Sequence, residues 1–262
     1  MKKKKKKTKT TDVDEKLPLT THLEELRSRL IKIFICLAVV FSICYWKSGL
    51  IFTFVSEPLV RLLPANSKLT MLKITEGFVT ELKMSFYTAI FFSMPYILYQ
   101  IWKFIAPGLY AHEKKYTSLF VIFASILFFI GASFAYFVVF PFGFKFFLQY
   151  VNENVVATLS IGWYLSFFIQ FIIAFGSIFE LPIFILFLSK LGIVTPEMLK
   201  KYRRYAIVII FIVAAILTPP DAVSQCMMAV PLLILYEISI YVAKYFGKKT
   251  EDTVEEEIND TE

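Results

Sequence analysis

Glu180 is the only charged residue in FIIAFGSIFELPIFILFL, Phe171 to Leu188. A carboxylate in the middle of an apolar run costs at least about 2.5 kcal/mol unless it faces protein or water or is neutral. Its residue type and place point to a polar contact for a partner, or to a proton site. The alternative is a neutral acid hydrogen-bonded inside a helical bundle. Pro182, two residues on, has no N–H and frees the carbonyl of Ile178, so a break that opens a concave, wettable face is expected there. Gln170 stands ten residues earlier and reads as lying on roughly the same face. Glu237 is a second acid within an apolar run.

Two more acids flank the apolar runs. THLEELRSRLIK, Thr21 to Lys32, reads as a short amphipathic helix with Thr21 and Glu24 as a capping box. Leu23, Leu26 and Leu30 form its apolar stripe, suited to a membrane surface. Glu25 and Arg29 are four residues apart and can pair, for a few tenths of a kcal/mol, about 0.2–0.5. The other reading of Glu25 is a free acceptor at that surface. Glu113 follows a Pro107-Gly108 turn in FIAPGLYAHEKKY, beside Lys114 and Lys115, where a solvated charge is the plain reading.

Catalytic sets are missing. His22 and His112 pair with no Ser or Cys motif, and there is no G-x-S-x-G, H-E-x-x-H or P-loop. Cys36, Cys44 and Cys226 make no C-x-x-C and have no histidine at ligand spacing. No enzyme activity, cofactor, metal or nucleic-acid partner is expected.

The elements that must hold these acids are apolar helices. Of the 262 residues 57% are hydrophobic, 18% aromatic and 19% charged, with a mean hydropathy of +0.64. Soluble domains sit near half apolar and a quarter charged. Six apolar segments stand out: roughly Leu30–Trp46, Leu82–Trp102, Leu119–Pro141, Tyr164–Leu188, Tyr205–Leu217 and Met227–Ala243. Each reads as a bilayer span, so the fold class is all-α, a polytopic membrane protein of six helices. Trp46, Trp102, Tyr150 and Trp163 fall near span ends, as interfacial aromatics do. With six spans, 22 Lys and Arg fall on the side of both termini and 6 on the other. That bias predicts cytoplasmic termini. Spans five and six are short, joined by TPPD at Thr218–Asp221, and predict local bilayer thinning. Residues 1–18 form a basic tail and 247–262 an acidic one, both read as disordered, with the integral domain over 19–246. The lysine block is expected to be solvated; contact with anionic lipid is the alternative. The sequence after the lysines does not read as a cleaved signal peptide.

HLEELRSRL after a basic tail, VSEPL, FIAPGLYAHEKK, FAYFVVFPF, FELPIF and LTPPD…Q occur in an order that resembles the TatC family, over about Leu19 to Lys244. That family is the core subunit of the twin-arginine protein translocase. The resemblance implies six spans with both ends cytoplasmic. It implies binding of signal peptides with paired arginines, export of folded proteins driven by the proton motive force, and assembly with single-span TatA- and TatB-type subunits as a homo-oligomer in the inner membrane. It implies that Glu25 and Glu113 receive the two guanidiniums, which fits carboxylate–guanidinium pairing. Arg27, Phe104, Pro58 and Asp221 fall on positions the family uses, and Glu180 on its intramembrane acid. Ser28 departs from relatives with a basic residue there. The alternative function is a proton-coupled small-solute transporter with Glu180 and Glu237 as relays. It calls for an internal repeat, and none is visible between the halves.

Overall fold

The computed structural model of the chain describes residues 19–62, 68–105, 117–149, 158–218 and 222–247. The two tails lie outside them. Helices dominate: α1 (Leu19–Trp46), α2 (Ser48–Leu62), α3 (Glu76–Ile105), α4 (Thr117–Phe134), α5 (Phe140–Leu148), α6 (Ile161–Ile178), α7 (Leu181–Lys190), α8 (Pro196–Lys201), α9 (Arg203–Leu217) and α10 (Ala222–Phe246). Strands β1 (Lys68–Thr70) and β2 (Thr158–Ser160) pair in parallel.

Among the described residues four helical stretches are long and apolar enough to cross a membrane: Leu23–Trp46, Ser118–Phe146, Ile161–Lys190 and Ala222–Phe246. α3 has the length, at 30 residues, but carries Glu76, Glu81, Lys83 and Lys103 toward its ends. α9 has 15 residues, about 23 Å at 1.5 Å per residue, so it is the short span expected. The apolar stretch of α10 is short, but its helix is not. It runs 25 residues, because Ala222–Cys226 and Lys244–Phe246 are helical as well.

α1 carries the amphipathic stretch directly into span one. No Gly or Pro interrupts Leu19–Trp46, so the amphipathic stretch and span one form a single helix. It begins two residues before Thr21, which removes the capping box as its start signal. α2 lies between the first two apolar segments and is a helix that packs on the bundle.

Six crossings bring the start of α1 and the end of α10 to one end of the bundle, the terminal end. α2, β1 and β2 lie at the other, the capped end. The third crossing is bent. At Ala135–Val139 the helix widens to a π-turn, where the Phe140 N–H donates to Ala135 O, and Pro141 follows at once. The fourth crossing breaks between α6 and α7, as Pro182 predicts, with Phe184 N–H donating to Glu180 O at 2.9 Å.

Packing is close where residues are small. A Cβ at Gly176 would lie 2.6 Å from the Phe128 ring and one at Gly131 2.5 Å from Phe179, so α4 and α6 approach on glycine, as membrane helices do. One buried core joins α6, α9 and α10 through Phe171, Phe175, Ile210, Met228 and Tyr236. A second joins α2, α5 and α6 through Leu59, Phe140, Tyr164 and Phe168. A third joins α3, α4 and α7 through Trp102, Ala124 and Phe187.

Candidate functional site

At the terminal end Glu25 lies on α1, half-buried, and its carboxylate accepts from the Arg29 guanidinium one turn on. Arg29 also reaches across to α3, donating from Nη1 to Gln100 Oε1 at 3.4 Å. Its side chain is 11% exposed, and its Nε is buried without a hydrogen-bond partner among the described residues. Gln100 is itself buried. Phe104 is one turn further along α3 and half-buried, so Arg29 ties Glu25 to the helix end that presents Phe104. Arg27, two residues after Glu25 on α1, is exposed. Glu113 and Asp221 lie outside the described residues.

Glu180 sits in the two-residue break between α6 and α7, with its backbone N–H donating to Ser177 O at 3.2 Å. Its Oε1 is buried without a hydrogen-bond partner among the described residues. Gln170 behaves differently, since its Nε2 donates to Tyr87 Oη at 3.2 Å. Tyr87 lines an apolar cavity of about 450 Å³ between α2, α3, the π-turn and α6, with Leu50, Phe54, Phe91, Tyr136 and Ile173. Glu180 is not part of that lining. The expectation of one shared face for Gln170 and Glu180 is corrected on this point: ten residues turn through about 1000°, some 80° short of three full turns, and the helix breaks before Glu180.

Glu237 is not a lone acid in the bundle. Its Oε2 accepts from Arg203 Nη2 at 2.8 Å, and both side chains are about half exposed. Arg203 opens α9, so the pair joins α9 to α10 toward the terminal end.

Pro58 lies inside α2. It cannot donate to the carbonyl four residues back, which belongs to Phe54. That carbonyl instead accepts from Tyr136 Oη at 3.3 Å. Next to it, Val55 O accepts from the buried Tyr164 Oη at 3.3 Å. Two tyrosines of the third and fourth crossings thus hold α2 by its backbone, and Pro58 frees one of the two acceptors, the Phe54 carbonyl.

Glu76 was passed over in the sequence. At the capped end its Oε2 accepts from the backbone N–H of Leu72 and of Lys73. Its Oε1 accepts from the Ser160 hydroxyl and from Gly162 N–H at 2.9 Å. The Ser160 hydroxyl above all, then the Gly162 amide, hold its carboxyl down at about 2. A Cβ on Gly162 would lie 2.9 Å from Thr80 Oγ1 and 3.0 Å from the Glu76 side chain, so the fourth crossing enters here on glycine. The available signal was an acid in the first turn of a helix, where the free N–H groups favour it.

No group of three or more His, Cys, Asp or Glu is gathered for a metal among the described residues.

A family model for the Sec-independent protein translocase protein (TatC) matches residues 21–231. The Sec-independent protein translocase protein TatC of Desulforapulum autotrophicum is 44% identical over 243 residues, 93% of this chain and 90% of the relative. That of Helicobacter pylori is 46% identical over 236 residues, 89% and 90%. That of Escherichia coli strain K12 is 40% identical over 237 residues, 90% and 92%. A crystal structure described as the twin arginine translocase receptor TatC superposes with a TM-score of 0.78 at 39% identity, covering 85% of this chain and 98% of that one.

Proposed function

The chain belongs to the TatC family of Sec-independent protein translocase proteins, and from that premise we propose that it is the signal-peptide receptor and core scaffold of a twin-arginine translocase. It is a multi-pass membrane protein and a translocase component, in a family that is not one of catalysts. The family sets aside the small-solute transporter alternative.

One observation supports the receptor reading most directly. Glu25 already accepts a guanidinium, that of Arg29, at a helix corner braced by Gln100. An incoming arginine meets a carboxylate held for that geometry, and bidentate carboxylate–guanidinium pairs are among the strong charge-assisted contacts. Glu113 supplies the second carboxylate for the second arginine. Arg27 and Phe104 border the same corner. The resemblance supports partners of the TatA and TatB kind, homo-oligomers in the assembled complex and coupling to the proton motive force. The lysine and arginine bias supports an inner-membrane orientation with the terminal end in the cytoplasm. Glu180, with a buried oxygen that lacks a partner among the described residues, offers a partner helix or a signal hairpin a polar contact within the membrane. Gln170, on α6, is a second polar group for such a contact, and the Glu237–Arg203 pair offers another on α10 toward the terminal end. Pro58 acts through α2, and Asp221 belongs to the segment that joins α9 to α10.

The test is binding of a twin-arginine peptide and a twin-lysine control to the purified protein. Glu25→Ala and Glu113→Ala each lower arginine-peptide affinity by about tenfold or more, as expected for hydrogen bonds to charged groups of about 1.5–3 kcal/mol. They leave the weak lysine-peptide binding nearly unchanged. Equal loss for both peptides contradicts the pairing.

A further inference from the structure

The capped end holds a turn whose side chains suit lipid better than water. Between β1 and α3, Ile74 is 101% exposed, Leu72 69% and Met71 60%. Exposed apolar side chains on a spanning helix are ordinary, because they face acyl chains. In a non-helical turn they are costly in water, and non-helical backbone is costly in hydrocarbon unless its polar groups are paired.

Part of this backbone is paired here. The N–H groups of Leu72 and Lys73 donate to the Glu76 carboxylate. Lys73 O accepts from Glu76 N–H at 3.0 Å, and Thr75 O from Val79 N–H at 3.1 Å. The carboxylate takes two further donors, from Ser160 and Gly162. The charge that satisfies the turn is therefore itself satisfied.

Depth follows from a neighbour. Ser160 Oγ, which donates to Glu76, also accepts from Trp163 N–H at 3.3 Å. Trp163 is exposed and stands at the start of the fourth crossing, where tryptophans mark the headgroup level. The turn donates to the Glu76 carboxylate, and Trp163 N–H bonds the Ser160 hydroxyl that donates to the same carboxylate, so the two lie close to one level. Lys73, exposed beside the apolar side chains, complements lipid phosphates there.

We propose that the Met71–Ile74 turn, folded around Glu76, is an interfacial anchor inserted into the lipid leaflet at the capped end. Its partner is lipid, and it needs no other subunit. The anchor fixes the height of α3 at the end away from the Glu25 corner.

The full-length protein, with Cys36, Cys44 and Cys226 replaced by alanine, is labelled with a nitroxide at Leu72→Cys or Ile74→Cys. It is reconstituted alone into vesicles of zwitterionic and anionic phospholipid. Label collision with oxygen, which concentrates in lipid, is compared with collision with a water-soluble nickel chelate. A label at Ile35→Cys, exposed on α1, reports in the same vesicles that the bundle is inserted. The anchor predicts more oxygen than nickel access at 72 and 74, and a shift toward nickel when Glu76→Ala is added. Nickel access exceeding oxygen access at both sites, with Ile35→Cys in lipid, overturns the anchor; so would a surface kept for a protein partner and bare to water until that partner arrives. An unchanged ratio in Glu76→Ala overturns the role given to the carboxylate.

Discussion

The two ends of α3 each meet a carboxylate, and the two are satisfied in opposite ways. Glu76, at the capped end, takes donors from the turn before α3 and from the start of α6. Three of the four are backbone N–H groups, fixed by the fold. Glu25, beside the far end of α3, takes a guanidinium from a side chain one turn away. A side chain can turn aside, and another guanidinium can take its place. A backbone amide cannot be exchanged in that way. Donor type therefore separates an acid that builds structure from one that can bind a ligand. Glu180 is a third case, in which a buried oxygen has no donor among the described residues.

The largest expected effect is at Glu76. Glu76→Leu leaves four donors without their acceptor and lowers the melting temperature of the detergent-purified protein more than any change at Glu25. Glu76→Gln falls between, because its amide NH2 faces the donors of Leu72 and Lys73. A Glu76→Leu protein that melts like the parent breaks the comparison at its structural half. The pH dependence sharpens it. The folded-state carboxyl is depressed, to about 2, against about 4.3 for an ordinary glutamate. Its contribution is complete above the ordinary range and is lost as pH falls through that range toward 2. Nitroxide mobility at residue 74 should stay constant from pH 8 to about 5 and rise between about 4 and 2.

Arg29→Ala comes next. It removes a mostly buried guanidinium that bridges α1 and α3, at about 1–3 kcal/mol, read as a lower melting temperature with insertion intact. Tyr136→Phe should cost about 1 kcal/mol, because the Phe54 carbonyl freed by Pro58 then loses its donor. Restoring a helix donor with Pro58→Ala in the Tyr136→Phe background should return part of it. The smallest effect is Arg61→Ala. Its pair with Glu57 is exposed on both sides, and such pairs contribute under about 1 kcal/mol. A large loss there would mean that α2 is held from its exposed face.

What the sequence allowed varies with the range of the cause. The apolar stretches are visible because each span is set by local hydropathy, and the break at Pro182 because proline acts on its own helix. The Glu25–Arg29 pair is a one-turn contact and was legible by spacing. The β1–β2 pairing is not, since two three-residue strands 90 positions apart carry no periodic signal. Glu76 escaped for the same reason: two of its four donors lie on Ser160 and Gly162, in a connection whose position only the fold supplies. The start of α1 was misplaced because Thr21 and Glu24 imitate a capping box inside a helix that continues through them. Gln170 and Glu180 were put on one face by counting turns across a helix that the chain interrupts. Glu237 looked isolated because Arg203 is 34 residues away in sequence.

The central claim is that Glu25 and Glu113 receive the two arginines of a signal peptide. Photo-crosslinking tests it most directly, with a twin-arginine peptide added to membranes containing the protein and photoreactive residues placed beside Glu25 and Glu113. The account predicts crosslinks at both sites that disappear when the two arginines are changed to lysines. Crosslinks that survive that change, or none at either site with the protein intact and inserted, contradict it.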